Sequence, residues 1–261
     1  MSANTQSNTF NYIAKHSQFK ERLPWETSWI HITTITFTAK MNQEINLENV
    51  RAYFDNEQHT RRVGKWDWKM KFDEKSDFYN QVTIKYVDDF STKSIKLFSN
   101  GSIQGAGATD LYDCDRICEA LTNVLNETSA KKFWVPNGVK VAMINTNFNL
   151  NFALNLRVVQ SVFSHVARVA FDPDRYSAVK IKFHPGENMK QVTASVFGTG
   201  KIIVTGAQSL DEIAHAYKFI TQHVNMNFCD IKLGEPKEDS VTESFMGATY
   251  PQWLQAMKKC L

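Results

Sequence analysis

Alternating apolar and polar residues mark several short segments of the chain, a pattern typical of strands that bury one face. The clearest segments are Tyr79–Tyr86, Ser94–Phe98 and Ser102–Ala106 in the first half, and Tyr176–Phe183, Val192–Phe197 and Lys201–Thr205 in the second. An earlier strand opens each half, at Ile32–Thr38 and at Lys140–Phe148. The pattern therefore predicts two similar sets of strands.

Apolar residues spaced three and four apart predict helices around these strands. A short helix follows each opening strand, at Ile45–Phe54 and at Leu154–Val166. A longer helix closes each half: one follows Asp110, and the other begins with the capping box Ser209-Leu-Asp-Glu212. Each half thus has the same predicted order, which is a strand, a short helix, several strands and a long helix.

Sequence similarity between the halves indicates an internal duplication. Residues 98–108 read FSNGSIQGAGA and residues 197–207 read FGTGKIIVTGA, with Phe, Gly, Ile, Gly and Ala at matching places. Gly101 and Gly200 both fall where a tight hairpin turn requires a positive φ. We interpret the chain as two diverged copies of one unit, at residues 30–129 and 130–225. A polar extension (1–29) precedes the copies, and another extension (226–261) follows them.

Two segments outside the repeated pattern carry their own predictions. The insertion at residues 56–77 places five basic residues around Trp66 and Trp68, and alternation over Lys65–Phe72 predicts an added or extended strand. Its charges either contact phosphates or keep a sheet edge soluble. The C-terminal extension ends in a predicted helix at Pro251–Lys259.

Strand alternation also predicts which face of the sheet is buried. Val82, Ile84 and Tyr86 form one apolar face with their counterparts in the second copy, and polar residues occupy the opposite face. Gln81, Thr83, Lys85, Lys180, Lys182, Ser102, Gln104, Lys201 and Thr205 are expected there, in solvent. Four aromatics interrupt this polar face at matching positions, namely Tyr79, Phe98, Tyr176 and Phe197. Exposed aromatics among polar residues indicate a binding surface, although they also suit a role in plugging sheet edges.

Composition narrows the class of protein. The chain has 261 residues, with 30 Lys and Arg against 27 Asp and Glu, giving a net charge of +3 that does not identify a nucleic-acid binder by itself. Residues 1–20 lack the apolar region of a signal peptide, and no apolar run is long enough to span a membrane. The four cysteines lack paired spacing and are expected to be reduced thiols inside a cell.

Two segments of the second copy resemble the C-terminal core of the TATA-box-binding protein (TBP) family. Asp172-Pro-Asp-Arg-Tyr-Ser-Ala-Val179 is similar to the family's N-P-K-R-F-A-A-V segment. Phe197-Gly-Thr-Gly-Lys-Ile-Ile-Val-Thr-Gly-Ala207 is similar to its F-x-S-G-K-x-V-x-T-G-A segment. The resemblance covers about residues 30–225 and is fainter in the first copy. It implies an α+β saddle in which two pseudo-symmetric repeats form one ten-stranded antiparallel sheet, with four helices on the convex side.

The resemblance also implies minor-groove binding by the concave face. Tyr176 with Phe197, and Tyr79 with Phe98, match the aromatic pairs that wedge into base steps. The positions that match phosphate contacts are Arg175, Lys182, Lys201 and Lys85. Ile203 and Thr205 match the floor that faces the groove, and Asn145 or Asn147 matches a central asparagine of the family.

The chain departs from the family pattern mainly in the first copy. Ser102, Gln104 and Ala106 stand where the family has lysine, valine and threonine. Two of the four wedge positions are tyrosines, whose hydroxyl groups are costlier to insert between bases than a phenylalanine ring. The floor is therefore more polar than the family's, which leaves the preference for TATA sequences and the degree of bending open. Such divergence resembles the TBP-like proteins of large DNA viruses.

The expected function is that of a non-enzymatic general transcription initiation factor. It would bind A·T-rich promoter DNA and recruit a transcription factor IIB-like protein and RNA polymerase, in the nucleus or, if viral, in a viral factory or virion. No cofactor, metal or membrane is expected, because Cys114 and Cys118 suit a core stripe better than a zinc site. One alternative is a protein-interaction scaffold that retains the saddle but has lost TATA-specific binding or DNA bending. A second alternative is an accessory domain of a DNA-processing enzyme.

Overall fold

The computed structural model describes residues 18–20, 22–56, 59–63, 66–72, 80–88, 91–236, 244–245 and 248–249. The chain forms two compact units. The first unit comprises Thr34–Ala142, and the second comprises Met143–Leu261 together with Met1–Thr33. The predicted helix at Pro251–Lys259 lies outside the described residues.

The first unit contains an antiparallel sheet with two helices on one face. Its elements are β1 (His31–Lys40, whose first three residues belong to the second unit), α1 (Leu47–Asn56), β2 (His59–Val63), β3 (Trp66–Phe72), β4 (Gln81–Asp88), β5 (Thr92–Phe98), β6 (Ser102–Ala108) and α2 (Leu111–Thr128). The strand order is β2-β3-β4-β5-β6-β1. The insertion therefore forms a hairpin, β2–β3, that pairs with β4 and adds a strand to those expected.

The second unit repeats this order with shorter outer strands. Its elements are β7 (Lys140–Asn149), α3 (Leu156–Ser164), β8 (Arg168–Ala170), β9 (Ala178–Phe183), β10 (Val192–Phe197), β11 (Lys201–Ala207), α4 (Leu210–Met226) and α5 (Phe228–Ile231), followed by a small hairpin of β12 (Ser244–Phe245) and β13 (Ala248–Thr249). The sheet order is β7-β11-β10-β9-β8. Helices α3 and α4 pack against β8, β9 and β11.

The turns and caps form as the sequence predicts. Gly101 and Gly200 have φ values of +82° and +90°, and a Cβ at either position would lie within 2.5 Å of a backbone carbonyl oxygen. The Ser209 hydroxyl accepts the Glu212 N–H at 3.1 Å, and the Asp110 carboxylate accepts the Asp113 N–H at 2.7 Å. These local interactions fix the hairpins and the starts of the two closing helices.

The residues just before β1 pack within the second unit, as Trp25 and Thr27 show. The Trp25 ring stacks on Phe228 at 4.8 Å and meets the edge of Phe152 at 5.3 Å. The Thr27 and Tyr217 hydroxyls are hydrogen-bonded at 2.5 Å, and burial raises the pKa of Tyr217. Aromatic burial therefore joins the segment before β1, the loop after β7 and helix α5.

Two cysteines contribute to the core of the first unit. Cys114 and Cys118 are buried on α2 as predicted, and burial raises the pKa of both thiols, that of Cys118 to about 12. Among the described side chains, no cluster of His, Cys, Asp or Glu is arranged to hold a metal. Within the same ranges, no helix combines the length and hydropathy needed to cross a bilayer.

A buried ion network lies between β4, β5 and α2 in the first unit. The Lys93 side chain is fully buried and forms ion pairs with Asp88 and, at 3.2 Å, with Asp113. The Arg116 guanidinium also pairs with both carboxylates, at 3.1 Å in the case of Asp88. Each buried charge therefore faces two opposite charges, which offsets the cost of removing it from water.

This network makes the first unit sensitive to loss of Lys93. We expect Lys93→Met to lower the free energy of unfolding by about 3 kcal/mol, because two buried carboxylates then share one cation. Urea denaturation measures the change. The double variant Lys93→Val with Asp88→Ala removes a charge and its partner together, so it is expected to lose less than Lys93→Met. A single variant as stable as the wild type would contradict the predicted role.

Candidate nucleic-acid interface

Each sheet has one face covered by helices and one that is not, and we call the latter the open face. In the second unit the strand residues of the open face are Asn145, Asn147, Asn149, Ala178, Lys180, Lys182, Thr193, Ser195, Phe197, Lys201, Ile203 and Thr205. All except Ala178 are half-buried or exposed, whereas the residues that alternate with them are buried beneath α3 and α4. The predicted alternation is therefore correct for this unit.

Strand register arranges the open face of the second unit into cross-strand rows. Lys180, Ser195, Ile203 and Asn147 are consecutive partners across β9, β10, β11 and β7. A parallel row joins Arg168, Lys182, Thr193 and Thr205 across β8 to β11. Each row begins with a cation at the outer strand and ends with uncharged side chains at the inner one.

Tyr176 and Phe197 lie together at one edge of this face. Their ring centroids are 5.8 Å apart in an edge-to-face arrangement, and the Lys180 ammonium lies 4.5 Å above the Tyr176 ring. Tyr176 precedes β9 and is held by a turn in which its N–H bonds to the Asp172 carbonyl at 2.9 Å. Tyr176 remains 39% exposed, so the pair presents an aromatic surface to solvent.

Besides Lys180, four cations lie on or next to the open face of the second unit. Lys182 and Lys201 are exposed on β9 and β11. The Arg175 side chain is 87% exposed, and its guanidinium lies 3.4 Å from the Asp172 carboxylate. The fourth, Arg168, was not predicted, because β8 has only three residues and shows no readable alternation. Arg168 pairs with Lys182 on β9, so the row that contains Lys182 has a second cation at its outer end.

The inner strands of the second unit carry uncharged polar side chains. Asn145 and Asn147 are half-buried on β7, and the Asn145 Oδ1 is buried without a hydrogen bond from the described residues. The Thr205 hydroxyl donates to the Thr193 carbonyl at 3.4 Å and retains its lone pairs for another donor. Ile203 lies between them as the apolar element of the floor.

Two of the three site residues predicted in the first unit lie within the described residues. Phe98 is half-buried at the end of β5, and Lys85 is exposed on β4, but Tyr79 lies outside the described residues. The expectation that Gln81 and Thr83 are solvated is wrong, because they are only 7% and 2% exposed. Their partners across the strand pair are Phe98 and Lys96, and both have side chains long enough to cover a neighbour on the same face.

The floor of the first unit is polar, and Lys71 pairs with Lys85 at the outer end of one of its rows. Thr36 pairs with Ala106 and Thr38 with Gln104 across β1 and β6. Thr38, Gln104 and Ala106 are exposed. The two units therefore share a strand pattern but present different chemistry on their open faces.

Comparisons with known proteins find sequence similarity that includes the second copy. Residues 138–226 match the family model described as "Transcription factor TFIID (or TATA-binding protein, TBP)". A "TATA-box-binding protein-like" protein of Acanthamoeba polyphaga mimivirus is 29% identical over 187 residues, which are 60% of this chain and 50% of that protein. "TATA-box-binding protein 2" of Methanosarcina acetivorans is 24% identical over 69% of this chain and 94% of its own length.

Similarity of structure extends across both units. The solved structure described as "Methanococcus jannaschii TBP" superposes with a TM-score of 0.55 at 16% identity, covering 76% of this chain and 98% of the other. This similarity confirms the predicted α+β fold of the TBP type. The chain spans about half the length of the mimivirus relative that it matches. Residues 138–226 therefore resemble the TATA-box-binding protein family in sequence, and the chain has a fold of the same type.

Proposed function

We propose that the open face binds the minor groove of A·T-rich double-stranded DNA, and that the chain acts as a non-enzymatic, intracellular transcription initiation factor. In this role it recruits a transcription factor IIB-like protein and RNA polymerase. The observation that carries the proposal is the exposed Tyr176–Phe197 pair at the edge of a face whose rows run from cations to uncharged groups.

The chemistry of these rows suits a minor groove. Adenine N3 and thymine O2 are acceptors on the groove floor, and the Asn145 and Asn147 amides carry donors at the inner strands. Cations at the outer strands are placed to meet phosphates, which lie at the groove margins. An aromatic pair at the edge supplies the wedge that opens a narrow groove, at a cost of about a few kcal/mol for each unstacked step.

The two units are proposed to contribute unequally. The second unit has Ile203 and two central asparagines on its floor, and it is expected to supply most of the affinity and to bind the A·T-richer half of the site. The first unit has Lys85 and Lys96 on its open face, and it is expected to add mainly salt-sensitive contacts. A mobility-shift titration with an A·T-rich and a G·C-rich duplex at stated salt tests the proposal, and equal affinity for both would contradict groove-floor recognition.

A protein-interaction scaffold is the second candidate. The polar first-unit floor and the burial of Thr83 favour it, because both reduce the surface that a groove can contact. Under this alternative the chain binds no duplex at physiological salt yet still associates with transcription proteins. The same titration therefore separates the two candidates.

The aromatic wedges generate a direct test. Phe197→Ala and Phe98→Ala are each expected to weaken duplex binding by about 1–3 kcal/mol, the usual value of aromatic stacking on a base, and to reduce DNA bending. Gel-shift affinity and fluorescence energy transfer between duplex ends measure the two effects. Tyr112→Ala is the matched control, because Tyr112 is an exposed aromatic on helix α2. Wild-type bending in both phenylalanine variants would refute the wedge role.

The cations generate a second test. Lys182→Ala, Lys201→Ala and Arg175→Ala are each expected to lower the slope of log affinity against log salt by about one unit, with similar losses on different sequences. Arg157→Ala serves as control, since Arg157 is exposed on helix α3. Slopes that are unchanged in all three variants would show that these side chains face bulk solvent in the complex.

A further inference from the structure

A groove of about 540 Å³ opens beside Phe98 in the first unit. The end of β1, the start of β6 and the residues that lead into β7 form its walls. Thr38 and Gln104 reach it from the open face, Asn137 from the segment before β7, and Lys140 from the start of β7. The groove is thus continuous with the open face but lies at its margin.

The charged residues that line the groove are all positive. Lys40 and Lys140 both line the groove, and none of its described lining residues is acidic. The Lys40 ammonium donates to the Asn100 carbonyl and, at 3.4 Å, to the Ser102 hydroxyl, so it is held against the β5–β6 hairpin. Lys140 is exposed at the first position of β7. One fixed cation and one exposed cation therefore face the same space.

The corresponding place in the second unit is bridged by the protein itself. Lys40 pairs with Ser102 at the ends of β1 and β6, just as Asn149 pairs with Lys201 at the ends of β7 and β11. Three residues before its strand, Ser28 occupies the position that Asn137 has before β7. The Ser28 N–H donates to the Asn149 carbonyl at 2.9 Å, and the Asn149 N–H donates to the Ser28 hydroxyl at 2.7 Å. In the first unit the corresponding bridge joins Asn42 to Trp134 rather than Lys40 to Asn137.

We infer that this groove binds the phosphodiester backbone of the duplex where it passes the β5–β6 hairpin. The inference rests on the proposed function and adds a contact from the segment that joins the two copies. Charge complementarity supports it, because a backbone carries one negative charge per phosphate and the groove offers two cations and the Asn137 and Gln104 amide donors. Phe98 forms one wall, so a duplex wedged by Phe98 has its backbone next to the groove.

Salt dependence of full-length variants provides the first measurement. Lys140→Ala is expected to lower the slope of log affinity against log salt by about one unit on an A·T-rich duplex, and Lys140→Arg to restore it. Lys131→Ala is the matched control, because Lys131 is exposed on the same segment but lines a separate cavity beside α1 and α2. An unchanged slope for Lys140→Ala would overturn the inference.

Duplexes that carry a single neutral phosphate analogue locate the contact between Lys140 and the backbone. A set of duplexes, each with one methylphosphonate in place of a phosphate, is titrated with wild type and with Lys140→Ala. At one or two adjacent positions the neutral group is expected to weaken wild-type binding without weakening Lys140→Ala further. Wild-type protein that binds these duplexes with no such position would overturn the groove assignment alone. Wild-type protein that binds none of them would refute the proposed function itself.

Discussion

Each strand of these sheets buries the side chains of one face in the core. Only the side chains of the other face are therefore available to contact a ligand. Helices α1 to α4 cover one side of each sheet, so Ile181, Val196 and Val204 are buried and their neighbours along the strand point away. Register then aligns those neighbours in rows across the strands. A cation at Lys182 and a hydroxyl at Thr205 lie in one row only because β9, β10 and β11 pair without a slip there.

The two units share the same order of elements, but they stabilise the buried carboxylate near the start of the closing helix in different ways. In the first turn of helix α4, the Glu212 carboxylate accepts the backbone N–H groups of Lys190 and Gln208. Helix α2 has Asp113 at the matching place, and its carboxylate pairs with Lys93 and Arg116. The second unit therefore satisfies a buried carboxylate with two backbone donors. The first unit satisfies its carboxylate with one backbone donor, the Thr109 N–H at 3.3 Å, and with the two cations. The first unit thus depends on a specific set of charges in addition to backbone geometry.

Much of the fold was predictable because it depends on local signals that repeat. Alternation identified the buried faces, Gly101 and Gly200 marked the hairpins, and Ser209 marked the start of α4. The sequence did not reveal strand β8, since three residues contain too few alternations to be read. Lys93 was unpredictable for another reason: a lysine in a strand suggests solvent, and only the positions of Asp88 and Asp113 in space make its burial possible.

The candidate site was predictable to a similar extent and for similar reasons. The aromatic positions and the cations of the second unit come from matching motifs, and the structure brings Tyr176 and Phe197 together. The burial of Thr83 and the groove at Lys140 depend on side chains and segments that meet only after folding. Contacts of this kind lie far apart in sequence, so no pattern within a strand reports them.

Net charge is a poor guide to the electrostatics of this molecule because charges act locally. The chain carries only +3 overall, yet the open face of the second unit has Lys180, Lys182 and Lys201 in neighbouring rows. Exposed acids lie on helix α2, at Glu119, and in the loop before β9, at Asp172. The influence of each group on a polyanion extends over about a Debye length, or about 8 Å at physiological salt. Attraction is therefore determined by local rows of charge, which a sum over the whole sequence averages away.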